Sequence, residues 1–187
     1  GPAPRGRAIA IVEPWAPPAT APTVRLATLV IDRSGRTGAL VPAVAKSGSY
    51  LASVLALEAA RAAGADDALL VDPDGRVLET ATASVALVDR RGVVVADGAC
   101  LPGVTMARVA EVAAGLGLAV TTAPIDRASL AQADEVFVTS SRRGVVQVVQ
   151  IDDRAYPDAP RARQIAAAYE AWIVGAANPD RRAAPAL

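Results

Sequence analysis

Hydrophobic positions along this chain switch between a two-residue and a roughly four-residue period, and each switch marks a predicted element. Short apolar or alternating runs predict strands at residues 7–13 (RAIAIVE), 24–32, 68–72, 77–79, 84–89, 93–96, 118–125, 135–140 and 144–152. Four stretches carry helical spacing instead. Residues 49–63 place Tyr50, Val54 and Leu57 on one face, and Gly64 follows where a C-terminal cap belongs. Residues 103–116 place Met106, Val109, Ala110 and Ala113 together, and residues 127–133 form a short helix. Residues 160–175 carry Ile165, Tyr169 and Trp172 as an apolar stripe.

The punctuation between these runs is turn chemistry. Pro73-Asp74-Gly75, Arg90-Arg91-Gly92 and Ser141-Arg142-Arg143 each separate two strands, so most strands arrive as hairpins with helices interleaved. That order predicts an α/β fold of α+β-like character, a mixed or antiparallel sheet wrapped by helices, rather than a doubly wound parallel sheet. Residues 14–22 hold four prolines and read as an extended linker; residues 34–38 read as a loop and residues 178–187 as a disordered tail. No internal repeat is present.

Composition narrows the chemistry. At 187 residues, 52% of them hydrophobic but only 3% aromatic, the chain has enough small aliphatic side chains for one packed domain. Its formal net charge is zero, with no block of like charge, which argues against nucleic acid as a partner. The pairs Arg90–Arg91 and Arg142–Arg143 read as solvated turn corners rather than phosphate clamps. With no histidine and one cysteine, zinc sites of the Cys/His type, an intrachain disulfide and any imidazole-based triad are excluded. No apolar run is long enough for a membrane span, and the front carries Pro and Arg rather than an apolar leader, so a soluble cytoplasmic protein is expected.

Against eighteen arginines stands a single lysine, Lys46. A guanidinium stays protonated, whereas a desolvated amine can lose its proton and attack a carbonyl, so the one retained lysine carries chemistry arginine cannot. Taken alone, it reads as a leftover surface charge. Its neighbours change that. Lys46-Ser47-Gly48-Ser49-Tyr50-Leu51 opens the first helix, and Asp74-Gly75-Arg76-Val77-Leu78-Glu79 puts a carboxylate at a strand end. Leu101-Pro102-Gly103-Val104-Thr105 opens the second long helix, and Ala133-Asp134-Glu135-Val136-Phe137-Val138-Thr139-Ser140-Ser141 closes the series.

These four segments, in this order and spacing, resemble the class IV aminotransferases, the pyridoxal-phosphate enzymes of fold type IV. That family includes branched-chain and D-amino acid aminotransferases and aminodeoxychorismate lyase, and the likeness runs from about residue 7 to residue 152. It implies pyridoxal 5'-phosphate as cofactor, with Lys46 as its covalent anchor and proton carrier and Glu79 against the pyridine nitrogen. Gly103, Val104 and Thr105 would hold the phosphate at a helix start, where unpaired N–H groups favour anions, with Ser141 as a further donor. Leu101 would pack on the ring, and Tyr50 would reach its phenolic oxygen.

Read without the resemblance, Glu79 is a solvated strand-end charge, Pro102-Gly103 is plain helix punctuation and Tyr50 is a helix core residue. The chain departs from the family in two places: Ser84 stands where an Asn is general, and Met106 where an Arg is frequent. The resemblance further implies that residues 1–23 are the end of a small domain and its linker, and that residues 24–177 are the cofactor-binding large domain. The small domain itself is expected on a missing segment or on a separate polypeptide. Transfer of an amino group between an amino acid and a 2-oxo acid is the expected reaction. The alternatives are the lyase, which releases pyruvate and 4-aminobenzoate, and a non-catalytic scaffold or partner subunit. A homodimer is expected.

Overall fold

The protein is described by a computed structural model covering residues 23–31, 46, 48, 50–97 and 100–177. The strand and linker expected within residues 7–22, the loop at 34–38 and the tail at 178–187 lie outside the described residues. Nine strands form one sheet among the described residues: β1 (Thr23–Val30), β2 (Asp67–Val71), β3 (Val77–Thr80), β4 (Ser84–Asp89), β5 (Gly92–Ala96), β6 (Val120–Ala123), β7 (Glu135–Ser140), β8 (Gly144–Ile151) and β9 (Arg154–Ala155). Their order is β3-β2-β1-β8-β7-β4-β5-β6, with β9 added beside β8. The sheet is mixed, as expected. β1 runs parallel to both β2 and β8, β5 runs parallel to β6, and the remaining pairs are antiparallel, all of them hairpins except β4 with β7.

This sheet curls until its two ends meet. The Val77 N–H donates to the Ile125 carbonyl at 2.7 Å, and Arg76 and Asp126 form a further bridge, joining the start of β3 to the chain just after β6. The side-chain alternation of a strand then divides inside from outside. Val24, Leu69, Val85, Leu87, Val136, Val138 and Val146 share one buried cluster that also takes in Ile125 and Tyr156. Intervening residues face outward to helices: Ala86, Val88 and Phe137 meet Met106 and Val109 of α2 (Val104–Gly115) and Ile165 and Tyr169 of α4 (Pro160–Ala177). Small aliphatics thus fill a two-sided sheet. Phe137, fully buried, is the one phenylalanine in the chain.

The two remaining helices differ in how they are held. In α3 (Arg127–Gln132), the Asp126 carboxylate caps the first turn, accepting the Ser129 N–H and hydroxyl at 2.7 Å each. Leu130 is buried beneath it, and the buried Tyr156 hydroxyl donates to the Leu130 carbonyl at 2.8 Å.

Helix α1 (Leu51–Ala62) corrects the expected face. Tyr50 and Val54 are exposed and Leu57 is half-buried; Ala56 and Ala60 make the contact, packing with Ala68 and Leu70 of β2. Close approach over two alanines brings the backbone near the sheet and turns the larger side chains away. Leu51, Val54 and Leu55 are 69%, 51% and 60% exposed. The stripe of α4 also ends early: Trp172 is 41% exposed, with the Arg108 guanidinium 4.4 Å from its ring centre.

Candidate active site

Of the residues singled out from the sequence, the fold brings six to one short segment. Glu79 lies in β3 in register with Leu70, half-buried, and its Oε2 accepts the Leu101 N–H at 3.3 Å. Leu101 opens the stretch Leu101-Pro102-Gly103-Val104-Thr105 that enters α2. At the far end, the Thr105 hydroxyl donates to Ser141 Oγ at 3.4 Å, which ties α2 to the turn after β7. Leu101 and Thr105 are four positions apart, so their backbones lie within roughly 14 Å of each other, the most an extended segment of that length spans.

Gly103 makes this approach possible. It is the N-terminal flanking residue of α2, in extended backbone (φ −68°, ψ 121°). A Cβ there would fall less than 3.0 Å from Ser84 Oγ, so α2 begins directly against the start of β4. Among the described residues no side chain caps this helix start, and no acidic residue sits in its first turn. The first intrahelical bond enters at the Ala107 N–H, which leaves the amides of Val104, Thr105 and Met106 ahead of the ladder. Twelve residues of aligned peptides place partial positive charge at that point. Val104 is 84% exposed and Thr105 is buried, so the amides stand at a surface with a hydroxyl set behind them.

The floor beneath carries a polar atom whose need is unmet. Thr139 of β7 pairs in register with Ser84 of β4, so both side chains leave the same face of the sheet. Thr139 is 2% exposed, and its Oγ1 has no hydrogen-bond partner among the described residues. Buried hydroxyls are nearly always satisfied, so this one stands out. Thr139 was not singled out from the sequence, since a Thr inside an alternating strand reads as ordinary sheet.

Lys46 and Tyr50 stand apart from this cluster. Both are exposed; Lys46 Nζ lies 5.2 Å from the centre of the Tyr50 ring, a cation–π pair. Residues 32–45, 47 and 49, their neighbours in the chain, lie outside the described residues. The face of α1 beside Lys46 bears the exposed side chains of Leu51, Val54 and Leu55.

The two departures also acquire positions. Ser84 lies under Gly103, and Met106 is 4% exposed in the cluster between α2 and the sheet. Arg142 is exposed, as a turn corner should be. Arg143 is not: its Nη2 donates to Thr82 Oγ1 at 2.8 Å and pairs at 3.5 Å with Asp67, which is 1% exposed. Sequence reading missed this network because its members lie far apart in the chain. Among the described residues there is no group of three or more metal-ligating side chains, and no helix is long and apolar enough to cross a membrane.

Comparison with known proteins identifies the family. The model of the amino-transferase class IV family matches residues 1–151. A branched-chain-amino-acid aminotransferase of Pseudomonas aeruginosa is 34% identical over 110 residues, covering 58% of this chain and 36% of that protein. Among solved structures, a branched-chain aminotransferase of Thermoproteus uzoniensis with norvaline superposes at TM-score 0.78 and 27% identity, covering 88% of this chain and 56% of that one. An aminotransferase of Brucella abortus bound to the co-factor PLP superposes at TM-score 0.74 and 28% identity, covering 84% and 57%. The chain therefore spans little more than a third of the curated relative and just over half of the solved ones. The family model spans most of the chain and the solved relatives share its curled mixed sheet: the chain belongs to the class IV aminotransferases.

Proposed function

We propose that this chain is the cofactor-binding large domain of a pyridoxal-phosphate aminotransferase acting between an amino acid and a 2-oxo acid. The observation that carries the reading is the single segment from Leu101 to Thr105, which links the Glu79 carboxylate to an uncapped helix start and the Thr105–Ser141 hydroxyl pair. A carboxylate at one end and anion donors at the other match the two ends of pyridoxal phosphate, a pyridine nitrogen and a phosphate. The unsatisfied Thr139 hydroxyl and the close Gly103–Ser84 approach fit the same need for a shaped polar floor.

When bound, the cofactor supplies an electron sink for the α-carbon of an amino acid. The chain's own residues do the rest. Glu79 holds a proton on the ring nitrogen, with the Leu101 N–H orienting its carboxylate. The amides of Val104 and Thr105, with the hydroxyls of Thr105 and Ser141, bind phosphate oxygens without a cationic side chain. Leu101 packs on the ring, and Lys46 Nζ anchors the cofactor and carries the proton at the substrate α-carbon. Tyr50, beside Lys46, orients that amine.

Lys46 needs cover that the described residues do not provide. The reading also includes a second polypeptide segment over α1, whose Leu51, Val54 and Leu55 are exposed, either the small domain or a second copy of the chain in a homodimer. The exposure of Lys46 favours one other reading, a non-catalytic scaffold subunit that keeps the fold without turnover.

One spectrum separates the two. The full chain titrated with pyridoxal phosphate is expected to develop a visible absorption band that Lys46→Ala abolishes. Amino acids and 2-oxo acids are then expected to exchange the band, whereas pyruvate release from aminodeoxychorismate would assign the lyase reaction instead. No band at millimolar cofactor, alone or beside a candidate small domain, refutes the enzyme reading.

A further inference from the structure

Asp67, Thr82 and Arg143 lie outside the residues given a chemical role above, yet they connect both ends of the site. Asp67 opens β2 and is 1% exposed. A buried carboxylate is costly unless charge and donors surround it. Here its oxygens accept the Ala68 N–H at 2.8 Å, the Thr80 hydroxyl at 3.0 Å and the Thr82 hydroxyl at 2.5 Å, with Arg143 Nη2 at 3.5 Å. Arg143 Nη2 also donates to Thr82 Oγ1 at 2.8 Å. The Thr82 hydroxyl is therefore the hinge of the network, donating to the acid and accepting from the guanidinium.

Each arm reaches a neighbour of a site residue. Thr80 follows Glu79 directly in β3. Thr82 lies in the loop that delivers Ser84 to the underside of Gly103. Arg143 is two residues beyond Ser141, in the turn that carries the Thr105 contact. A closed ring results: Glu79 to Leu101, along the backbone to Thr105, across to Ser141, along the turn to Arg143, and through Thr82 and Asp67 back to Thr80 and Glu79. The segment from Leu101 to Thr105 is one strut between the two ends of the site; the buried acid and its arginine are a second.

We infer that Asp67, Thr82 and Arg143 are positioning residues that set the distance between the ring-nitrogen carboxylate and the phosphate-binding hydroxyls. The inference rests on the cofactor reading above. Unhooking the turn from Asp67 frees Ser141 to move relative to Glu79. Affinity for the phosphate should then fall while contacts to the ring persist. A network that only stabilised the fold would weaken both together.

The test uses Thr82→Val, which keeps the shape of an exposed side chain and removes the hinge hydroxyl, beside Thr82→Ser, which keeps the hydroxyl. Arg143→Gln serves as an independent second break. For the full chain, the dissociation constants of pyridoxal phosphate and of pyridoxal, which lacks the phosphate, are measured by absorbance titration. Thr82→Val and Arg143→Gln are expected to weaken pyridoxal phosphate about tenfold, the effect of one unsatisfied buried partner, and pyridoxal less than about twofold. Thr82→Ser is expected to restore the native ratio. An unchanged ratio of the two affinities, with only a lower melting temperature, overturns the inference while leaving the cofactor reading intact. A native chain that binds neither compound overturns the cofactor reading, and the inference falls with it.

Discussion

Replacing Gly103 by alanine isolates how tightly α2 is pressed against the sheet. The backbone at Gly103 is ordinary extended, so alanine meets no conformational strain there. By reducing the freedom of the unfolded chain, the change on its own should stabilise by about 0.4–1 kcal/mol. The opposing effect comes from one atom. The new methyl would sit inside 3.0 Å of Ser84 Oγ, whereas Met106 Cβ at 3.4 Å and Ser84 Cβ at 3.5 Å would be in normal contact. Relief requires either a strained Ser84 rotamer, at about 0.5–1.5 kcal/mol, or a shift of the helix start, at about 1–3 kcal/mol for overpacking. Gly103→Ala is therefore expected to be neutral to destabilising by up to about 2 kcal/mol in native chain. In a Ser84→Ala background the obstructing oxygen is gone and the same substitution should stabilise. Urea unfolding of the four chains gives the coupling energy directly, with about 1–2 kcal/mol expected. A coupling within about 0.5 kcal/mol of zero, the usual scatter of additive pairs, would mean that the helix start does not lie on Ser84.

Other perturbations probe the supports of the site. Tyr156→Phe removes the hydroxyl's bond to the Leu130 carbonyl, which keeps the Ala133 N–H at 3.3 Å, and should cost about 0.5–1.5 kcal/mol in urea unfolding. Burial pushes the Tyr156 phenol up against the opposing pull of nearby Arg154, so the folded state keeps its proton longer than the unfolded one. That contribution is whole below about pH 10 and lost as pH rises past it, so native stability should decline more steeply there than that of Tyr156→Phe. At Asp126, the Ser129 N–H and hydroxyl hold the carboxyl below its ordinary range. The stability it adds is present above about pH 4 and disappears as pH falls through the lowered value, so the melting temperatures of native chain and Asp126→Ala should draw together as the pH is taken down from there. Gly92→Ala should cost more than about 2 kcal/mol, because Gly92 has φ +142° and a Cβ would strike the Ala119 backbone carbonyl, which no rotamer change relieves. Equal urea midpoints for Gly92→Ala and native chain would contradict that packing.

Legibility of the chain followed the range of the interactions. Strands β4, β7 and β8 and their turns could be read because alternation and turn chemistry are local. The order of Glu79, the α2 start and Ser141 could be read because each motif occupies a few adjacent residues. What failed was what alternation cannot encode. In an alanine-rich helix such as α1, several overlapping rows look equally apolar, and the packed one is chosen by the smallest side chains, Ala56 and Ala60, rather than by Tyr50 and Val54. Arg143 looked solvated because its partner Asp67 is 76 residues away and becomes a neighbour only when β2, β1, β8 and β7 assemble. The unsatisfied Thr139 hydroxyl was equally hidden, since pairing with Ser84 depends on strand register.

Strand β1 carries a consequence for how this protein is made. It lies between β2 and β8, parallel to both, and Val24 pairs with Val148. On the ribosome, β2 emerges soon after β1 and can join it, but the other flank has no partner until nearly all of the described chain has been synthesised. Until then a nascent apolar edge is open to pairing with other chains, and such long-range closure is intrinsically slow. Production of this protein should therefore depend on holdase chaperones and low temperature more than its final stability would suggest, and stop codons placed before β8 should yield aggregates rather than smaller folded domains.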